Sequence, residues 1–136
     1  MWSSWLTESS IPALEQSAAF SQRRHQLLAG NIANLDVPGY QSRDLSVDDF
    51  EEALREMVDK SAEGGVDRYG IAASQVAEDK VRDVTRQVVY HDGSNVSLEE
   101  QVTEISKNSG MHDMTIALMR SQFATLESAI RESPSV

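Results

Sequence analysis

The sequence predicts a mainly α protein. Long N- and C-terminal helices pair as an antiparallel coiled-coil hairpin around a short helix and a small irregular or β-containing middle region. Three observations predict it. Apolar residues recur with heptad spacing near each end of the chain. Each of these runs starts at a serine suited to capping. Between them lies a stretch that opens on Pro38-Gly39 and holds most of the acidic charge.

Residues 10–35 read as the first helix. Ser10 stands at the N-cap position, and Pro12 is tolerated in the first turn, where its missing N–H costs nothing. The seven-residue spacing runs through Ile11, Leu14, Ala18, Ser21, His25, Leu28, Ile32 and Leu35. This narrow stripe suits one partner helix. Gly30 weakens the helix by about 1 kcal/mol relative to alanine and marks close packing or a bend. The helix ends in Asn31-Ile32-Ala33-Asn34-Leu35-Asp36-Val37-Pro38-Gly39-Tyr40. Pro38 cannot continue a helix and pushes Val37 towards an extended backbone. Gly39 accepts a positive φ, and the Asn34 and Asp36 side chains can bond nearby backbone.

Residues 41–46 read as a polar turn. Ser46 precedes Asp48, Asp49, Glu51 and Glu52, which suit a positive helix N-terminus. Val47, Phe50, Leu54, Met57 and Val58 then form a short stripe, predicting a helix over 47–60. Residues 61–68, with Gly64-Gly65, read as a loop. Over 69–92 the pattern is weak. Val84, Val88, Val89 and Tyr90 suggest one or two short strands before an Asp92-Gly93 turn.

Residues 97–132 give the strongest helix. Ser97 and Glu100 form a capping box. The seam runs through Leu98, Val102, Ile105, Ser109, His112, Ile116, Met119, Phe123, Leu126 and Ile130, and Pro134 ends it. Antiparallel pairing then places Ile32 near Ile105, His25 near His112 and Leu14 near Phe123. The organisation is a flexible tail over 1–9 carrying Trp2 and Trp5, an N-terminal helix and turn over 10–40, an acidic and partly disordered middle over 41–96, and a C-terminal helix over 97–132.

The totals exclude whole classes of function. The 136 residues fit one domain, and the net charge of −10 disfavours nucleic acid and anionic membranes as targets. Residues 36–97 alone carry 14 acidic and seven basic side chains, so the acidity sits in the middle. There is no cysteine, which removes disulfides and thiol catalysis. No apolar run is long enough for a membrane span, so direct membrane insertion is not expected, nor is a cleavable secretory signal. His25 and His112 raise the idea of zinc, but Glu104 and Asp113 are not placed as further ligands. The Asp48–Glu52 cluster lacks calcium-loop spacing and reads as a solvated helical turn. No nucleophile motif or phosphate loop is present. No enzyme, cofactor or metal is expected.

Asn31-Ile32-Ala33-Asn34, followed after three residues by Pro38-Gly39-Tyr40 at the end of an N-terminal helix, resembles the signature of the flagellar rod, hook and hook-associated axial proteins. Val37 stands where that signature has threonine. The short length, Arg43-Asp44-Leu45 and the Phe50 and Leu54 pair are similar to the small proximal rod proteins. So are Gly93-Ser94-Asn95-Val96-Ser97-Leu98-Glu99, Asn108 and the long closing helix. The resemblance implies a structural subunit that self-assembles through its terminal helices into the proximal, torque-transmitting rod. On the helices, assembly would fall to the apolar members of both stripes. The implied partners are further copies of the chain, neighbouring rod proteins, the rod–ring junction protein at the base, and the type III export apparatus. The implied location is the periplasmic rod of the basal body, reached from the cytoplasm without a cleavable signal. From the residues alone, a small acidic helical adaptor or export chaperone is the alternative.

Overall fold

A computed structural model of the chain describes residues 10–64, 73–90 and 97–131. The expectations for the 1–9 tail, the Asp92-Gly93 turn and Pro134 lie outside these residues.

Four helices and one two-stranded ribbon make up the described residues. They are α1 (Ile11–Ala33), β1 (Arg43–Leu45), α2 (Val47–Glu63), α3 (Ala73–Arg86), β2 (Val88–Tyr90) and α4 (Leu98–Arg131). The expected architecture is therefore present, with two long outer helices and a small middle. At 1.5 Å per residue α1 is roughly 35 Å long and α4 roughly 50 Å. The most extensive packing is of α1 along α4, followed by α2 against α3.

The start signals act unequally. The Ser97 Oγ accepts from the Glu100 N–H at 3.2 Å, as its capping position requires. The Ser46 Oγ accepts from the Asp49 N–H at 3.3 Å. Ser10 precedes α1 but makes no side-chain cap, and its backbone is already helical. Gly64, at φ +59°, stops α2 three residues later than its apolar stripe suggests.

Two stretches differ from the sequence reading. Arg43–Leu45 is a strand rather than a polar turn, paired antiparallel with β2 as Arg43 to Tyr90, Asp44 to Val89 and Leu45 to Val88. Val88–Tyr90 is a strand as expected, but Val84, read with them as strand, lies in a helix over residues 73–86. There, Ala77 and Val81 stand four residues apart and are both buried, with Val84 packed beside them, so helical burial outweighs β propensity.

The apolar core lies on one side of α1. Phe20 and Leu27 meet Leu45, Phe50, Ala53, Met57, Ala77 and Val81, with the Phe20 and Phe50 rings stacked at 3.9 Å. Among the described residues α4 contributes nothing to this cluster.

Candidate functional site

The Asn31–Tyr40 stretch forms a joint between α1 and the ribbon. The Val37 N–H donates to the Asn34 carbonyl at 3.0 Å, and the Tyr40 N–H to the Val37 carbonyl at 3.1 Å. In the second turn Pro38 fills the position that favours its fixed φ, and Gly39, at φ +77°, the one that favours a positive φ. Asn34 ends the helix, and its Nδ2 donates back to the Gly30 carbonyl at 2.7 Å.

Asn31 sits at the centre of this joint and is 2% exposed. Its Nδ2 donates to the Arg43 carbonyl at 2.7 Å and to the Gln101 Oε1 at 3.0 Å. Its Oδ1 accepts from the Arg43 N–H at 2.9 Å and from the Tyr40 hydroxyl at 3.2 Å. One amide thereby ties α1 to the turn, to β1 and to α4, with each of its hydrogen-bonding valences used.

A second polar knot lies two turns earlier on α1. Arg24 grips Asp44 through two parallel bonds, Nε to Oδ1 and Nη2 to Oδ2, each 2.8 Å. Its Nη2 also reaches the Glu104 Oε2 at 2.8 Å. The hydrogen bond that Arg24 donates to Asp44 raises the guanidinium pKa against the opposing effect of burial, so Arg24 stays charged. Lys107 and then Arg24 hold the Glu104 carboxyl below its usual value. Further along, the Asn108 Nδ2 donates to the Ser21 carbonyl at 2.7 Å, and the Ser21 Oγ meets the His112 Nδ1 at 2.9 Å.

The contact between α1 and α4 is thus a polar seam. Ser21, Arg24 and Asn31 on α1 face the row Gln101, Asn108 and Thr115 on α4, all of them buried. Ser21, not His25, bonds His112, and Asn31 bonds Gln101, so the register is offset by about one turn from that expected. The signal lay in the chain, since Gln101, Asn108 and Thr115 are spaced by sevens, as are Arg24 and Asn31. A search for apolar heptads passes over such rows.

The apolar stripes read from sequence are placed as follows. On α1, Leu28 is buried and Ile11, Leu14, Ala18 and Ile32 are half-buried, while Leu35, just past the helix, is exposed. On α4, Ile105, Ile116, Met119 and Leu126 are half-buried. Leu98, Val102, Phe123 and Ile130 are exposed, as are Met111, Met114 and Leu118. Within the motif, Ile32 and Asn34 are half-buried and Ala33, Pro38 and Gly39 exposed. Among the described residues no group of three or more His, Asp or Glu side chains is arranged to hold a metal. Nor is any helix there long and apolar enough to cross a membrane.

Comparison with known proteins gives a consistent set of relatives. The chain is 29% identical over 109 residues to the flagellar basal body rod protein FlgB of Salmonella typhimurium, covering 74% of this chain and 77% of that one. It is 27% identical to the Aquifex aeolicus FlgB, over 82% and 85% of the two chains. The Proteus mirabilis FlgB is 22% identical over 87% and 90%. No family model and no solved structure matches. Matches of one name thus align over most of their length, and the chain is similar over most of its own to the flagellar basal body rod proteins FlgB.

Proposed function

We propose that this chain is a structural subunit of the bacterial flagellar basal-body rod, built into the proximal part of the axial tube through its terminal helices. The relatives' shared name carries this reading. The shape of the molecule supports it. Among the described residues a 34-residue helix packs extensively on α1 alone and leaves Leu98, Val102, Phe123 and Ile130 exposed. In an isolated chain the described residues leave those side chains facing water. Covering them with further helices stabilises the subunit by mass action, so assembly and full ordering of α4 go together.

The finer statements rest on the same reading. The apolar positions Ile11, Leu14, Ala18, Leu28, Ile32, Leu35, Leu98, Val102, Ile105, Ile116, Met119, Phe123, Leu126 and Ile130 divide between holding α1 to α4 and meeting neighbouring subunits. The partners are further copies, adjoining rod proteins and the rod–ring junction protein. The chain reaches the periplasmic rod through the flagellum's type III export apparatus. Its work is mechanical, and no catalytic residue is assigned.

Deleting the gene tests the proposal. Flagellar assembly should stop before the hook, and supplying the gene in trans should restore it. A motile deletion strain bearing normal flagella would sink the reading.

A further inference from the structure

Helix α4 runs past the start of its partner. Two contacts set the alignment of the pair. The Asn31 Nδ2 donates to the Gln101 Oε1 at 3.0 Å, and the Ser21 Oγ meets the His112 Nδ1 at 2.9 Å. Along an antiparallel pair each residue back on α1 is matched by one forward on α4. Ile11, where α1 begins, therefore stands beside about residue 122, while α4 continues to Arg131. The last nine or so residues of α4, roughly 14 Å, have no part of α1 beside them. Their exposure agrees. From residue 121 to Arg131 every residue is exposed except Leu126, which is half-buried.

This overhang carries an apolar face. Phe123, Leu126 and Ile130 follow one another at the spacing of one helix side, and Phe123 is 52% and Ile130 59% exposed. The part of the chain joined to its inner edge is residues 1–9, which lead into Ser10 and α1. Nine residues span about 14 Å as a helix and about 30 Å extended, so they match or exceed the length of the overhang. They hold Trp2, Trp5 and Leu6, with Glu8 as their one charged side chain. Each indole has on the order of 200 Å² of surface to remove from water. The count that fixes the pair, carried on, brings Trp5 and Leu6 beside Leu126 and Trp2 beside Ile130. A second copy would have to associate from solution to cover the same face. A segment already tethered at its edge binds at high effective concentration.

We propose that residues 1–9 lie back along the overhang of α4, with Trp2 and Trp5 covering Leu126 and Ile130. The contact is intramolecular and closes the far end of the hairpin in the free chain. It assigns Leu126 and Ile130 to holding the subunit together, and it leaves Phe123, beside the small Ser9, open to a neighbour. Two buried indoles add apolar contact where the polar row on α4, which ends at Thr115, has run out. The contact does not require a rod.

Trp2 and Trp5 are the only tryptophans in the chain, so their fluorescence reports on this segment alone. The test is the emission spectrum of the purified full chain over a dilution series, set against the same chain unfolded in urea. The native emission should lie at shorter wavelength than the unfolded one and be unchanged by dilution. Ile130→Lys should return it to the unfolded wavelength while circular dichroism keeps its helical signal, because Ile130 is exposed to the described residues and a cation suits a helix C-terminus. Met114→Lys, at a 65% exposed position outside the overhang, should leave the emission unchanged. Native emission equal to the unfolded one overturns the proposal. A shift that fades on dilution also overturns it, since a second copy is then the cover. So does a shift that survives Ile130→Lys or is lost in Met114→Lys, since either places the indoles elsewhere.

Discussion

Asn31 shows how much of this molecule hangs on single side chains. Replacing it with alanine leaves the Arg43 amide, the Arg43 carbonyl, the Tyr40 hydroxyl and the Gln101 amide each short of a partner. Buried groups left in this state cost more than the net worth of the bonds removed. Asn31→Ala should therefore lower stability by about 2–4 kcal/mol, read from urea denaturation. Val37 is the opposite case. It is half exposed and contributes backbone groups to the turn, so Val37→Thr should change stability by less than about 0.5 kcal/mol and leave assembly intact. The motif was legible as a helix stop with a defined turn, because Pro38 and Gly39 announce one. The role of Asn31 was not legible. Its partners Tyr40, Arg43 and Gln101 lie 9, 12 and 70 residues away, and no helix or strand spacing encodes them.

At the scale of elements two carboxylates held by cations, one in the polar seam and one between α2 and α3, shape the response to pH. Glu104 titrates below its usual value in the folded chain, held there by Lys107 and Arg24. Glu56 titrates at about 2, chiefly through its hydrogen bond to Lys60 at 2.5 Å and then through Lys80. Both folded values lie below those of the unfolded chain. Their stabilisation is thus fully present above the ordinary carboxylate range near pH 4.3 and is lost as pH falls through the folded values. The urea midpoint should be level from about pH 8 to 5 and decline below about pH 4. Glu104→Gln should flatten part of that decline. Gly110 makes a separate prediction within α4. A methyl group there meets nothing within 4 Å, so Gly110→Ala should raise the stability of the isolated chain by about 0.5–1 kcal/mol in the same denaturation assay. Gly30 is equally open, so the close packing its sequence position suggested is absent. Helix α3 escaped the sequence reading for a physical reason. Its stripe is narrow, its valines favour strand in isolation, and burial against Phe50 and Leu27 decides the outcome.

Taken whole, the molecule divides by how its parts are held. Residues of α1, α2, α3 and the ribbon share one apolar core. Among the described residues α4 adds no buried apolar side chain to that core and is tied to α1 by hydrogen bonds and one charged knot. The hairpin of terminal helices was legible from the heptads and caps. Its register was not, because the seam is polar and the apolar rows are partly turned to solvent. That division fits a subunit whose long helix finds its remaining partners in an assembly. The central claim is that the open side of α4 is where those partners bind. Phe123 is about half exposed on α4, so Phe123→Glu should leave the isolated chain folded. The most direct measurement is electron microscopy of basal bodies from a strain whose only copy carries Phe123→Glu. The account predicts that the variant is exported and that the particles stop short of a completed rod and hook. Basal bodies with normal rods and hooks would contradict it.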